Sequence, residues 1–262
     1  MTNDTNSTDL EAPQMTDRAQ IWSSGGGVQS TAIAALICMG ELRPDLAVIV
    51  DTERELSTTW DYLDRWVMPA LELAGVSLHR VAKSEYATVD LMRNDDLLIP
   101  AFTTESGEIG KLPTYCSNEW KQRVMRRWAS EQGVKQADIW IGFTIDELRR
   151  VTQPTGKWQN RYPLIDRRMT RGDCIALVNR MGWPEPPRSS CWMCPNKTAD
   201  EWKWQKQHAP SDFEKAVQFE KEIQLHDEDL WLTQAAKPLD TIKFDDHPDL
   251  FTGLCDSGMC FV

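Results

Sequence analysis

Five of the seven cysteines in this 262-residue chain stand where metal or sulfur chemistry would need them. Cys191-Trp-Met-Cys194-Pro195 is a C-x-x-C, and a two-residue spacer lets both thiolates turn towards one metal centre. The same spacing serves thiol redox chemistry when the pair opens a helix after a strand. Here Pro184, Pro186 and Pro187 come first, which predicts a loop. Cys116 lies in Leu112-Pro-Thr-Tyr-Cys-Ser-Asn-Glu-Trp-Lys121, directly before a helix whose N-cap is Ser117 or Asn118, where the helix dipole favours a thiolate. Cys255 and Cys260 stand near the C-terminus. Cys116, Cys191, Cys194 and one tail cysteine, taken as Cys255, make four soft donors, the count for a structural zinc ion or an iron–sulfur cluster. Cys260 is left as a candidate nucleophile at a flexible end. Cys38 and Cys174 fall on apolar helix faces and read as core.

A second constellation suits phosphate. Ser23-Ser24-Gly25-Gly26-Gly27-Val28-Gln29-Ser30 follows the apolar Gln20-Ile21-Trp22 and precedes Thr31-Ala-Ile-Ala-Ala-Leu-Ile-Cys38. Glycines let backbone N–H groups turn inward, and a helix start adds unpaired donors and the positive end of its dipole. Ser24, Ser30 and Thr31 bring hydroxyls. With no Lys after the last Gly it is not a Walker loop, nor is it G-x-G-x-x-G. A Gly-rich turn with no ligand is the plain alternative.

Those residues need a scaffold. Leu46–Asp51 is a continuous apolar run of strand length, and Ser77–Val81 and Gln136–Gly142 read as further strands. Thr58–Leu73 and Ser117–Gln132 carry helical spacing. Strands alternating with helices predict an α/β fold, a parallel sheet with helices on both faces and ligands at the carboxyl ends of the strands. Three segments occupy such ends: the glycine turn, Asp51-Thr52-Glu53, and Gly142-Phe-Thr-Ile-Asp-Glu147-Leu-Arg149-Arg150. Asp51 taken alone serves equally as an N-cap. Residues 1–18 read as a polar disordered tail, 19–190 as the nucleotide-binding α/β domain, and 191–262 as a Cys- and Trp-rich, mainly helical appendage with a helix over 212–226. Asp90–Lys111 has no clear period and reads as a mobile loop over the sheet edge. Most of the twelve Trp are expected in packing roles.

Composition bounds the rest. Hydrophobic content of 41% with 26% charged residues fits a globular protein. No apolar run is long enough for a bilayer and the first residues do not form a secretion signal, so no membrane partner and a cytoplasmic location are expected. A disulfide framework is not expected there. Net charge is −11, yet residues 117–190 hold fourteen Lys and Arg against eight Asp and Glu. A basic middle beside a phosphate turn suits a polyphosphate or a nucleic-acid end; solvated helix faces would give the same count.

In combination the motifs resemble the PAPS-reductase-like family of the adenine-nucleotide alpha-hydrolase, or PP-loop ATP pyrophosphatase, superfamily. S-G-G-x-x-x-S is similar to the PP-loop, with Gln29 where that superfamily usually has Asp. Cys116-Ser-Asn-Glu-Trp-Lys121 resembles the family's C-T-x-x-x-K, and Ile141–Arg150 its I-G-x-x-x-x-E-x-x-R. Tyr162-Pro-Leu-Ile165 with Met169-Thr-Arg-Gly-Asp173 resembles P-L-I and W-T-x-x-D, with Met169 at the Trp position. C-x-x-C-P followed by Trp202 is nearest to a subgroup that includes DNA-phosphorothioation enzymes. The likeness spans Gln20 to Trp204. The family's E-C-G-x-H tail and Cys-Cys pair are both missing, which argues against direct reduction of PAPS.

The resemblance implies ATP with its phosphates on Ser23, Ser24, Gly25, Gly26, Gly27, Gln29, Ser30 and Thr31, its adenosine near Asp51 and Thr52, and Gly142 closing the site. Lys121, Arg149 or Arg150 would offset charge on a leaving pyrophosphate, Mg²⁺ would bridge phosphate oxygens, and Glu147 would hold Arg150 or act as a base. The cysteines would hold a 4Fe–4S cluster or zinc. The expected activity is adenylation of a substrate for sulfur transfer or a related modification, with a tRNA, DNA or small-molecule acceptor and a sulfur-donor protein as partners. A PAPS or APS reductase using Cys260, and a non-catalytic nucleotide-binding subunit with structural zinc, are the other readings.

Overall fold

A computed structural model describes residues 18–87, 89–94 and 96–244 of the chain. Cys255 and Cys260 lie outside the described residues.

The centre is a five-stranded, all-parallel sheet. Its strands are β1 (Ala19–Ser24), β2 (Leu46–Asp51), β3 (Leu78–Ala82), β4 (Ala137–Trp140) and β5 (Trp158–Arg161), in the order β3-β2-β1-β4-β5. The chain winds outward from β1 to β3 and then returns to the other side of β1. That reversal puts the topological switch point between β1 and β4, where an open α/β sheet forms a crevice beyond its strand ends.

Alternation along each strand decides what covers each face. Trp22, Ala47, Ile49 and Trp140 point into a cluster with helix α1 (Val28–Cys38). Ile21, Val48, Val50 and Ile139 point the other way, against Val124, Met125, Trp128 and Ala129. Buried nearly all round, α1 is apolar on every side, as a helix enclosed by sheet and further helices must be. Ser57–Leu73 is helical throughout, with a π-helical turn at Leu63–Val67 between α2 (Ser57–Tyr62) and α3 (Met68–Leu73). A second π-helical turn, Ser117–Gln122, leads into α4 (Arg123–Glu131). Helix α5 (Arg171–Arg180) packs beside α1.

A third apolar cluster joins Leu97–Ala101 and Trp120 to Met193, α6 (Ala199–His208) and α7 (Pro210–Gln224). Residues 90–111 differ from the loop expected. They carry a short hairpin, Met92–Arg93 with Asp96–Leu97, and two strands that pair with each other and with Leu230–Trp231. Burial of Leu97, Leu98, Ile99, Ala101 and Phe102 under α6 and α7 fixes this segment, a gain the local sequence does not display. The C-terminal region is helical, as expected. Among the described residues no helix is long and apolar enough to cross a membrane.

Candidate functional site

The turn after β1 is built as a cradle. Gly26 takes φ +74, and a Cβ there would stand 2.9 Å from Thr59 Cγ2. Ser30 Oγ accepts from Gly25 N at 2.8 Å, and Ser24 Oγ from Gly26 N at 3.3 Å. These two hydroxyls shape the loop from within. Gly27 is the N-cap of helix α1 and no side chain caps it, so no side-chain acceptor covers the first N–H groups of the helix. Thr31 Oγ1 turns to Gly27 O at 3.1 Å, inside the helix.

The segment after β4 closes against that helix start. A Cβ on Gly142 would lie 3.2 Å from Ser30 N, so the close approach needs glycine. Thr144 and Glu147 form a capping box that starts the turn Ile145–Arg150. Glu147 then pairs with Arg150 through Oε1, and its Oε2 accepts from Gln29 Nε2 at 3.0 Å. Arg150 stacks over Phe143 at 4.1 Å, and Arg171 Nη1 reaches Gln29 Oε1 at 3.5 Å.

Between these segments lies a cavity of about 1240 Å³. Ser23, Ser24, Gly25, Gly27, Gln29, Ser30, Gly142, Glu147 and Arg150 line it, so the structure brings most of the sequence-derived set together. Lys121, Arg126, Arg149, Arg171 and Arg188 add cations, against Glu55, Asp146, Glu147 and Glu201. The balance is positive in a chain whose net charge is −11. Gly26 and Thr31 sit behind the wall. Asp51 is held by Arg80, Nη2 to Oδ2 at 2.5 Å, and accepts from Glu53 N at 2.7 Å.

Thr52 faces a different, small cavity of about 40 Å³, lined also by Cys116, Cys191 and Cys194. Thr52 Oγ1 lies 3.4 Å from Cys191 Sγ. A bridge between Glu55 and Cys191, with Leu56 N donating to Ser190 O at 3.1 Å, ties the C-x-x-C loop to the segment after β2. Cys194 N donates to Cys191 O at 3.1 Å, closing a turn, and Lys197 Nζ donates to the same carbonyl. Burial pushes the Cys116 thiol up to about 12, with Cys194 and Cys191 adding to it. Burial and Glu55 push Cys191 up to about 11. Burial would lower the Lys121 ammonium, but Glu55 and the three sulfurs outweigh it and hold it above the usual lysine range.

Lys121 and Arg188 line both cavities. They form the partition between the glycine cradle and the three thiols. Arg188 is paired with Glu201 at the start of α6. Ser189 Oγ donates to Gly25 O and lies 2.8 Å from Glu55 Oε1, so one loop supports both the cradle and the cysteine wall. Sequence reasoning missed Glu55, Arg171, Arg188 and Ser189; only the position of Arg188 and Ser189 just before C-x-x-C pointed to them. Among the described residues no three His, Cys, Asp or Glu side chains are grouped to hold a metal ion.

No protein-family model and no curated protein sequence matches the chain. In structure it is similar to the U34-tRNA thiolase NcsA of Methanococcus maripaludis with its 4Fe–4S cluster, at TM-score 0.46 and 14% identity over 87% of this chain and 73% of that one. It is also similar to the phosphoadenylyl-sulfate (PAPS) reductase of Candida auris in its phosphate complex, at TM-score 0.42 and 14% identity over 66% of this chain and 81% of that one. The chain itself shows a parallel sheet with a glycine-rich turn after its first strand and helices on both faces.

Proposed function

We propose that this chain is an ATP-dependent enzyme that adenylates an oxygen of its acceptor and replaces that oxygen with sulfur. One observation carries the reading: Lys121 and Arg188 form a common wall between a cation-lined phosphate cradle and a cavity lined by three cysteines. Nucleotide activation and sulfur chemistry would then sit on two sides of one partition.

ATP enters as its magnesium complex, with phosphates on the N–H groups of Gly25–Ser30 and the start of α1. The acceptor oxygen attacks Pα, the bond from Pα to the bridging oxygen breaks, and pyrophosphate leaves with the electron pair. Lys121, Arg150 and Arg188 offset the charge that gathers on it. A sulfide-level donor, either inorganic sulfide or a sulfur-donor protein, then adds to the acceptor carbon. The C–S bond forms, the C–O bond breaks, and AMP departs with the oxygen. The exchange is redox-neutral and releases a proton.

The donor set at Cys116, Cys191 and Cys194 fits an iron–sulfur cluster in kind: three soft sulfurs around one apolar space. The raised thiol pKa values of Cys116 and Cys191 mean that added positive charge would favour their thiolates. When bound, a cluster supplies iron as a soft Lewis acid for sulfur.

The test is to incubate the protein with ATP, sulfide and candidate acceptors and to identify the products. AMP and pyrophosphate in step with acceptor thiolation support the reading. Failure to bind ATP, or release of ADP, overturns it.

A further inference from the structure

The nucleotide cavity does not stop at α4. Arg126 also lines a second, open cavity of about 710 Å³ on the outer side of that helix. Arg123, which pairs with the buried Glu119 at 2.8 Å, and Arg127 line this outer groove, with Glu85 and Glu131 as its acidic members. Positions 123 and 127 are one helical turn apart on the same face, about 6 Å along the axis.

Arg126, at the junction, has no carboxylate partner among the described residues. Its Nη2 donates to Gln122 Oε1 at 3.1 Å, while its Nε is buried with no hydrogen-bond partner among the described residues. Burial pushes this guanidinium below the usual arginine range, and no carboxylate among the described residues offsets that. The guanidinium is half-buried and faces both cavities, so an anion passing from one to the other would meet it. The adjoining cavity is also larger than the roughly 300–1000 Å³ of a small-molecule site, which leaves room beside one nucleotide.

Resting on the adenylating reading of the cradle, we infer that the acceptor is a nucleic-acid strand whose phosphodiester backbone leaves the nucleotide cavity over Arg126 and follows Arg127 and Arg123 along α4. A single phosphorylated metabolite would fill Arg126 and leave the outer groove empty; a strand uses both. Arg127 is oriented for this by donating Nη1 to Tyr86 O at 2.6 Å, and a guanidinium keeps further N–H groups for phosphate. The acidic remainder of the surface keeps a polyanion from spreading elsewhere.

The experiment measures binding of short single-stranded RNA and DNA oligonucleotides by fluorescence polarisation, between about 50 and 200 mM salt. ATP affinity is measured on the same samples. Expected is salt-dependent binding of one or both, the two arms separating RNA from DNA. Arg127→Gln should lower the salt slope by about one phosphate contact, with ATP affinity unchanged and an unaltered melting temperature. Arg127→Lys, which keeps the charge, should restore most of the slope, separating loss of charge from misfolding. ATP binding without oligonucleotide binding overturns this inference alone. Oligonucleotide binding that ignores Arg127→Gln overturns the α4 track. Loss of ATP binding in the unaltered protein overturns the function proposed above.

Discussion

Gln29 in the glycine-rich turn after β1 and Glu147 beyond β4 are joined by a 3.0 Å hydrogen bond, Nε2 to Oε2, that spans the switch point of the sheet. Glu147 spends its other oxygen on Arg150. The amide thus links the cradle to the arginine that the proposed function brings to the pyrophosphate. A carboxylate at position 29 would face Glu147 and repel it. Gln29→Ala should loosen this link without unfolding the chain. Losing one hydrogen bond to a charged group costs about 1.5–3 kcal/mol, which corresponds to roughly ten- to hundredfold weaker ATP binding. Calorimetric titration with ATP checks this, and unchanged affinity would refute the coupling.

Gly26 tests the cradle itself. Its φ of +74 strains any side chain by about 1–2 kcal/mol, and the 2.9 Å approach of Thr59 Cγ2 adds a clash. Gly26→Ala should lower the melting temperature by several degrees and weaken ATP binding. Adding Thr59→Ser, which removes Cγ2 and keeps the hydroxyl, should recover the steric share and leave the backbone share. Full recovery would show that the positive φ carries no cost.

The cradle was legible because its signal is local. Glycines and hydroxyls between a strand and a small-residue helix mean the same thing wherever the chain goes next. Cys116, Cys191 and Cys194 were legible by residue type, and the fold then brings them around one cavity. Glu55, Arg188 and Ser189 were not, because their role comes from two loops meeting through the Glu55–Cys191 bridge. The strand Trp158–Arg161 was missed because WQNR is polar, and an edge strand needs no continuous apolar run. Asp51 shows the converse. A carboxylate at a strand end looked like a ligand or a cap, and its oxygens meet Arg80 and the N–H of Glu53.

Lys121 stands where both halves of the proposed reaction need a cation. Lys121→Ala should reduce AMP formation by about a hundred- to a thousandfold, the effect of deleting one preorganised charge donor from a transition state. Lys121→Arg keeps the charge and should retain part of the rate. AMP and pyrophosphate release in single turnover measures both. An Ala variant at full rate would remove Lys121 from the machinery.

Glu220 secures the C-terminal segment. Its carboxylate is buried and accepts from Leu232 N at 2.9 Å and Leu239 N at 2.7 Å. Glu220→Ala leaves two buried N–H groups without acceptors, at about 1–3 kcal/mol each. The melting temperature should fall markedly and the amides of Leu232 and Leu239 should exchange faster. Glu220→Gln keeps one acceptor oxygen and should fall in between. Unchanged exchange at both amides would show that the carboxylate does not pin this segment.

Cys174 sets an alkaline limit on stability. It is fully buried on α5, in the cluster that α5 shares with α1, and burial, with Asp173 next, pushes its thiol from 9.0 up to about 12. Below pH 9 the thiol is protonated in both folded and unfolded chains and has no pH-dependent effect. Between about 9 and about 12 the unfolded chain releases a proton that the folded chain retains, so stability falls as pH rises. Cys174→Ala removes the titrating group. It should cost stability at neutral pH through the lost packing, yet lose less on going from pH 8 to alkaline conditions. Urea unfolding of both proteins across that range gives the two slopes, and parallel slopes would show that Cys174 does not titrate in this window.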